Sequence, residues 1–252
     1  LGWAAFPLVY RVFPHLSDRG YGLVKPAGLL LFGYSYWILV TFRLLPNTWS
    51  GASTVILLVL LVGLFSAVKI GRITLQDWIH SNFQVILTTE IVFTVLFVFF
   101  AFIRAANPEI VGTEKPMEMA FINAILRSPS FPPNDPWLSG YAISYYYFGY
   151  VMVAGLIRLT GVIPGVGFNL SVALWFAMAG IGSLSIVYNI ISGLTKDEDV
   201  KKKPGVPWKK VGWALFGPLL LIFTGNWQGF LEVLHSAGVF WTNTANGWQS
   251  SF

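Results

Sequence analysis

The chain has 252 residues, of which 55% are apolar, 17% aromatic and only 11% charged, and its net charge is +5. Soluble domains carry about 25% charged residues, so the composition excludes an ordinary soluble enzyme, a disordered chain and a water-exposed nucleic-acid-binding protein. We predict an all-α, polytopic integral membrane protein. The chain contains no cysteine, which excludes disulfides and thiolate chemistry.

Apolar segments of about 20 residues, the length that crosses a bilayer, recur along the chain. Residues 1–13 are predicted to be the end of one span. Five further spans are predicted, at residues 25–45, 53–68, 84–103, 169–191 and 211–224. The six spans, the first of them incomplete, lead us to interpret the sequence as part of a longer protein.

The positive charges predict the orientation of the spans, because Lys and Arg collect in cytoplasmic loops. Six lysines lie within residues 196–210, and further Lys and Arg residues flank the first and third connections. This pattern predicts that 196–210 is cytoplasmic and that the long loop 104–168 is outside. Both predictions hold only if the stretch 141–159 does not cross the membrane. Its five tyrosines and Arg158 favour a helix that lies at the outer membrane surface.

The predicted spans divide the chain into four parts. Residues 1–103 hold the N-terminal transmembrane helices, and residues 104–168 form an outer loop with short and interfacial helices. Residues 169–224 hold two transmembrane helices joined by the basic cytoplasmic loop. Residues 225–252 form an outer amphipathic tail.

The long outer loop contains carboxylates that suit chemistry. Thr113 is predicted to cap a helix that runs to about Arg127, with Pro116 in its first turn. Glu114 and Glu118 then share one helix face, and a bound cation or a bound proton relieves their repulsion. Either arrangement suits a general base or a metal site. The alternative is that acids in a first turn only complement the helix dipole.

Two further groups of the loop are candidate site residues. Three prolines within 131–137 predict a stiff turn that fixes Asp135 and Trp137, or one in which Asp135 merely caps the next helix. The triplet Tyr145, Tyr146 and Tyr147 offers hydroxyls and ring faces to a sugar or a lipid headgroup. A plain interfacial aromatic belt explains most of the tyrosines without such a role.

Glu90 lies inside a predicted span, near Thr88 and Thr89. A carboxylate within the membrane is a candidate functional residue, either in a proton path or as a hydrogen-bonded packing group. The sequence has no Walker pattern, no phosphate-cradling glycine loop and no serine-centred elbow, which argues against nucleotide chemistry.

Five short motifs carry a family resemblance: DRGYG at 18–22, GTEKPME at 112–118, NAILRS at 123–128, FPPNDPW at 131–137 and YYYFG at 145–149. They resemble the YYY membrane protein family of archaea and Chloroflexi, whose function is unknown and whose members are longer. The match is strongest from Arg104 to about Gly193. It implies a bacterial or archaeal cytoplasmic membrane, with membrane lipid as a partner.

The order of elements in this region is similar to the front end of the GT-C glycosyltransferases. A span is followed by an outer loop that opens with acids, then a short helix, a Pro-Pro turn, a flat aromatic helix and a second span. This resemblance implies a transferase that takes a sugar from a polyprenyl phosphate. An acid just after the span acts there as base or metal partner, which is Glu114 here, or Glu118. Thr113 stands before Glu114, where those enzymes commonly have Asp.

Under this hypothesis Glu114 or Glu118 deprotonates the acceptor hydroxyl. The other expected roles are binding of the donor phosphate by Lys115, Arg127 and Arg158, substrate contact by Trp137, Tyr145, Tyr146 and Tyr147, and binding of a divalent metal, Mg²⁺ or Mn²⁺, by Asp135 and Glu118.

Two other functions are compatible with the sequence. A non-catalytic subunit of a larger membrane complex, including one associated with pigments, fits the high aromatic content and implies other membrane subunits as partners. A transporter with Glu90 as its coupling site fits less well, because no pair of broken helices in two matching halves is visible. No nucleic acid is expected as a partner.

Overall fold

The computed structural model describes residues 1–194, 208–225, 227–239, 241–244 and 247–250. The helices are α1 (Gly2–Val12), α2 (Val24–Thr41), α3 (Trp49–Ile70), α4 (Arg72–Ser81), α5 (Phe83–Ala106), α6 (Lys115–Arg127), α7 (Phe148–Thr160), α8 (Pro164–Leu194), α9 (Trp208–Ala214), α10 (Phe216–Thr224) and α11 (Trp227–Ser236). The strands β1 (Trp241–Thr244) and β2 (Gly247–Ser250) form a small antiparallel hairpin. The predicted helical membrane fold is confirmed.

Four helices are long and apolar enough to cross a membrane. These are α3, α5, α8 and the helix formed by α2 with the short 3₁₀ turn before it, Tyr21–Thr41. A fifth crossing is counted if Lys209–Ile222 and Trp227–Ser236, which meet at 69°, form one broken span. Four of the six predicted spans, those at 25–45, 53–68, 84–103 and 169–191, correspond to these helices. The incomplete first span that the sequence predicts corresponds to α1, which has 11 residues, and the predicted span 211–224 is interrupted between α9 and α10.

The ends of the spans follow from local sequence signals. Thr48 caps α3, because its hydroxyl oxygen accepts a hydrogen bond from the backbone N–H of Gly51 at 3.3 Å. The helix α2 stops just before Arg43, whose φ of 57° is left-handed. Gly161 ends α7 in the left-handed conformation that glycine adopts readily.

One hydrogen bond brings the end of α5 and the start of α8 together. Arg104, near the end of α5, donates through Nε to the Asn169 side-chain oxygen, near the start of α8, at 2.8 Å. Residues 107–163, which include α6 and α7, therefore begin and end on the same side of these two spans. Asn47, between α2 and α3, bonds to the end of α6 on this side. We call this side the loop face.

The helix α7 begins later in the sequence than predicted. It also lies deeper among the spans than a helix at the membrane surface would. It begins at Phe148 rather than Tyr141, so the tyrosine triplet is not helical. The reason is a competing pairing, in which the Ile143 N–H donates to the Pro133 carbonyl at 2.9 Å and keeps this segment extended beside the proline turn. Met152 packs against Gly33, in the middle of α2. With 13 residues, α7 is inserted into the loop face without spanning.

The start of α6 also differs from the prediction. Thr113 has a φ of 45° and does not cap the helix, because the N-cap residue is Glu114 and the helix begins at Lys115. A chain in the left-handed region cannot present the extended N-cap geometry that a threonine cap uses. Pro116 lies in the first turn, as predicted.

The opposite face holds the start of α2 and the end of α8. Asp18, just before α2, bonds to Asn189 near the end of α8 at 2.8 Å. Lys25 forms an ion pair with Glu90 of α5. Of the lysine-rich segment 196–210, which is predicted to be cytoplasmic, residues 196–207 lie outside the described part of the chain.

Candidate functional site

A cavity of about 520 Å³ opens on the loop face between α6, α7 and α8. Its lining is mostly apolar, and its polar or aromatic groups are Glu118, Tyr146, Phe148, Tyr150, Phe168, Ser171 and Trp175. An apolar pocket with a few convergent polar groups is the usual form of a small-molecule site. The sequence-predicted residues Glu118 and Tyr146 therefore meet in one place.

Glu118 is half-buried in the first turn of α6 and points into this cavity. Its carboxylate accepts a hydrogen bond from the Tyr150 hydroxyl at 3.4 Å. The ion pairs among the described residues join Lys25 to Glu90 and His235 to Glu232, so Glu118 has no cationic partner there. Its carboxylate oxygens are therefore available as hydrogen-bond acceptors to a ligand in the cavity.

Two tyrosines beside this carboxylate are held in their neutral form. Burial, then the charge of Glu118 and its hydrogen bond, raise the pKa of Tyr150 to about 12. The hydrogen bond from the Tyr145 hydroxyl to that of Tyr146, at 3.1 Å, is the main cause that raises the pKa of Tyr145 to about 12, with burial and the charges of Glu114 and Glu118 adding to it. At neutral pH both side chains are hydrogen-bond donors.

Glu114 lies at the edge of this group rather than in it. It is exposed at the N-cap of α6, and its charge acts on Tyr145 and Tyr150, but it does not line the cavity. The structure thus brings the two predicted carboxylates to the same end of α6 and distinguishes them by position. Glu118 faces the enclosed space, whereas Glu114 faces solvent.

Tyr146 and Trp175 provide aromatic faces to the cavity from different elements. Tyr146 precedes α7 and is 78% exposed, and Trp175 lies on α8 and is 39% exposed. Side chains this open have ring surface free for a ligand. Tyr147 points elsewhere, since its hydroxyl accepts a hydrogen bond from the Trp37 indole at 3.1 Å and connects α7 to α2.

Asp135 and Trp137 lie outside the cavity lining. The Asp135 carboxylate accepts hydrogen bonds from the backbone N–H groups of Trp137 and Leu138 at 2.8 and 2.9 Å, which fixes its own turn. The Trp137 ring packs edge-on against Phe121, with ring centroids 5.5 Å apart. In the described segments no three His, Cys, Asp or Glu side chains come together as a metal site, and Asp135 does not line the cavity that Glu118 faces.

The three predicted phosphate-binding cations have different surroundings. Arg158 donates through Nε to the Asn47 side-chain oxygen at 3.0 Å and through Nη2 to the Leu126 carbonyl, so it anchors the end of α6. Arg127 is exposed in the last turn of α6. Lys115 is half-buried in the first turn, at the same end as Glu118.

Sequence reasoning missed Tyr150 and Trp175 as site residues. Tyr150 was grouped with the other tyrosines of an expected membrane belt, and its contact with Glu118 joins residues 32 apart in the chain. Trp175 is in the middle of a long apolar span, where a tryptophan gives no sign that it faces a cavity. No local pattern in the sequence could have found it.

Comparisons with known proteins identify a family and go no further. Residues 31–251 match the family model described as Uncharacterized membrane protein (DUF2298). Searches of the curated proteins and of the solved structures gave no match. The matched range includes the spans α3, α5 and α8, the helices α6 and α7, and the cavity between them.

Proposed function

The chain belongs to this family of uncharacterized membrane proteins, and from that premise we propose that it is a membrane glycosyltransferase with a GT-C-like layout. It takes a sugar from a polyprenyl phosphate and acts at the loop face, which is the outer face of a bacterial or archaeal cytoplasmic membrane. One observation carries the proposal: Glu118, a half-buried carboxylate without a cation, faces a cavity with aromatic walls at the end of the spans.

The proposed reaction is a displacement at the anomeric carbon. The acceptor hydroxyl gives its proton to Glu118, and its oxygen forms a bond to the anomeric carbon of the sugar. The bond from that carbon to the lipid phosphate oxygen breaks, and the phosphate leaves with the electron pair. The products are a glycoside and a polyprenyl phosphate, and the proton on Glu118 passes to water.

Glu118 fits the role of base better than Glu114 because of where each lies. A base must reach the hydroxyl that it deprotonates, and Glu118 lines the cavity, whereas Glu114 is exposed at the helix N-cap. The neutral hydroxyl of Tyr150 holds one Glu118 oxygen in place through its hydrogen bond.

Charge on the departing phosphate needs a cation at the same end of α6. Lys115 is in the first turn, close in sequence to Glu118, and forms no ion pair with the other described residues. Arg127 lies nine residues after Glu118 along α6, about 13 Å away by helix geometry. Lys115 is therefore the proposed phosphate partner, and Arg158 holds the helix in place. The described donor set does not fit a three-ligand metal centre, so no step is assigned to Mg²⁺ or Mn²⁺.

The test is sugar transfer in proteoliposomes that contain the full chain. Radiolabelled polyprenyl-phosphate hexoses serve as donors, membrane extract supplies acceptors, and released polyprenyl phosphate is measured. We expect Glu118→Gln to lower the rate at least about a hundredfold, as loss of a general base does. Glu114→Gln should lower it less, and Glu109→Gln, an exposed acid of the same loop, should leave it unchanged. Equal rates for Glu118→Gln and the unmodified protein would refute the base assignment.

A second candidate function, a non-catalytic subunit of a larger membrane complex, is favoured by the surface of α5. Ile91, Val95, Phe99 and Phe102 are each more than half exposed on this span. In a membrane such a surface faces lipid or helices of other subunits. This function predicts no polyprenyl phosphate release with any donor, together with loss of the complex from native gels when the chain is deleted.

A further inference from the structure

A second polar feature of the loop face lies at the end of α5. Arg104 is in the last turn of this span, where its Nε donates to the Asn169 side-chain oxygen at 2.8 Å and its Nη2 donates to the Glu109 carbonyl at 3.2 Å. Asn169 is itself fixed, since its Nδ2 donates to the carbonyls of Pro108 and Gly165 at 3.0 Å each. The guanidinium is thus held in one orientation at the level where the span ends.

The charge of Arg104 is not neutralised by these bonds. A guanidinium has five N–H donors, and the two bonds use two of them. Both acceptors are uncharged, and the ion pairs in the described parts of the chain do not include Arg104. Its remaining donors form a planar fork, the geometry that binds two oxygens of a phosphate.

An apolar groove of about 190 Å³ lies directly against this guanidinium. It is lined by Arg104, Asn169 and the small or aliphatic side chains of Ala101, Ala105, Pro108, Val166 and Leu170. Ala101 and Ala105 are one helical turn apart on α5, and their small side chains leave the space between α5 and α8 open. The groove therefore combines one fixed cation with an apolar surface along a membrane span.

We propose that Arg104 and this groove form a binding site for a phosphate-bearing lipid of the loop-face leaflet. The lipid phosphate accepts hydrogen bonds from the free side of the guanidinium, and the upper part of a hydrocarbon chain lies against Ala101, Ala105 and Leu170. A span end is at headgroup level, which brings a lipid phosphate to the height of Arg104. The site does not depend on the proposed transferase reaction.

The groove distinguishes this site from a simple phosphate site and from ordinary membrane anchoring. A soluble phosphate gains nothing from the apolar walls, whereas a lipid chain gains about 0.8 kcal/mol for each CH₂ that it buries. Lysine can replace an arginine that only reaches the membrane surface with its charge. Lysine cannot replace a fixed guanidinium that donates two parallel hydrogen bonds to a phosphate, because an ammonium lacks the paired donors.

The experiment is native mass spectrometry of the full chain released from detergent micelles, with retained lipids counted at rising lipid concentration. The probes are phosphatidylglycerol, a galactosyl diacylglycerol with the same chains but no phosphate, and glycerol phosphate, which has no chains. We expect saturable retention of phosphatidylglycerol alone. Equal retention of the galactolipid, or equal competition by glycerol phosphate, would overturn the proposal.

Variants at Arg104 distinguish the paired hydrogen bonds of the guanidinium from the effect of a positive charge alone. Arg104→Gln and Arg104→Lys are each expected to weaken phosphatidylglycerol retention about tenfold, the effect of losing one charge-assisted hydrogen-bond pair. The matched control is Arg43→Gln, an exposed arginine at the loop-face end of α2, which should retain the lipid as before. The thermal unfolding midpoint of Arg104→Lys is measured alongside. An unchanged midpoint would show that this substitution leaves the fold intact. If Arg104→Lys retains phosphatidylglycerol as well as the unmodified protein does, any positive charge suffices for binding and the proposal is overturned.

Discussion

Arg158 donates through Nε to the Asn47 side-chain oxygen at 3.0 Å and so joins α7 to the connection between α2 and α3. The same oxygen accepts the Tyr36 hydroxyl at 2.6 Å, and the Asn47 amide donates to the carbonyls of Ile125 and Ser128 at 2.6 Å each. These four bonds use the whole hydrogen-bonding capacity of an asparagine side chain. The end of α6, and with it the cavity wall that carries Glu118, is held by this network.

Replacement of Asn47 is expected to be costly. Asn47 is 4% exposed, so Asn47→Ala leaves two carbonyls, a phenol and a guanidinium without their partner inside the protein. We expect the free energy of unfolding to fall by at least about 2 kcal/mol, because buried unsatisfied polar groups cost about 1–3 kcal/mol each. Denaturant unfolding in detergent micelles measures this. Asn107→Ala, an exposed asparagine after α5, is the control and should change little. Equal effects of the two substitutions would contradict the structural role of the network.

The same residue shows what the sequence could not reveal. Arg158 was predicted to bind a phosphate because a guanidinium forks onto phosphate oxygens. Its main partner, Asn47, is 111 residues away in the chain, and no spacing rule predicts such a contact. The positions of charged residues in the sequence do not show whether an arginine caps a helix end or binds a ligand. The position of Arg104, by contrast, was visible at the end of a predicted span, but its fixed orientation depends on Asn169.

The spans themselves were predictable because their signal is local. Long apolar runs predicted α2, α3, α5 and α8, and the stretch predicted not to cross contains α7, which at 13 residues is shorter than the candidate spans. Helix starts were less accurate, since the helix that was expected from Tyr141 begins at Phe148 and the Thr113 cap is absent. Both errors arise from tertiary pairing and backbone strain, which override local propensity. The grouping of Glu118 with Trp175 depends on packing between elements and was beyond sequence reasoning.

The titration of Tyr150 tests the contact with Glu118 directly. The pKa of Tyr150 is raised from 10 to about 12, so the folded state holds this proton more tightly than the unfolded state does. The resulting stabilisation is complete below about pH 10 and is lost as the pH rises towards about 12. Phenolate absorbance, with Tyr150→Phe subtracted to isolate this group, gives the midpoint in the folded protein.

In Glu118→Gln the Tyr150 midpoint should move down towards 10 and stay above it, because the negative charge is removed and the burial remains. Glu109→Gln, which removes an exposed carboxylate of the same loop, is the control and should leave the midpoint in place. If the Tyr150 midpoint does not respond to Glu118→Gln, the two side chains are not in contact in solution.

The ion pair between Lys25 and Glu90 predicts a pattern of single and double substitutions. The Lys25 amine lies 2.6 Å from Oε2 of Glu90, and the Tyr21 hydroxyl donates to Oε1 at 2.9 Å. Lys25→Met or Glu90→Gln alone leaves one charge of a part-buried pair without its partner, at an expected cost of about 1–3 kcal/mol. The double variant should recover most of that loss, as measured by unfolding in micelles. Additive losses would show that the pair does not interact.

A close approach between α8 and the 3₁₀ turn before α2 explains the DRGYG motif and gives the last prediction. Asp18 is 1% exposed and accepts hydrogen bonds from the N–H of Gly20, the N–H of Gly22, the Ser185 hydroxyl and the Asn189 amide. Gly20 has a φ of 74°, and a Cβ on Gly22 would lie 2.4 Å from the Ser185 Cβ. A side chain at Gly22 is therefore incompatible with the bonds of Asp18.

We expect Gly22→Ala to lower the free energy of unfolding by about 1–3 kcal/mol, the usual cost of overpacking. Adding Ser185→Gly removes the clashing Cβ and should restore part of the loss, although the Ile181 carbonyl remains 3.0 Å from the new methyl group. Gly182→Ala, on the same helix but with no atom within 4 Å of the added carbon, is the control and should be neutral or slightly stabilising. Thermal unfolding midpoints of the four proteins in one detergent measure these effects. A double variant less stable than Gly22→Ala alone would show that the hydroxyl bond to Asp18 outweighs the steric contact.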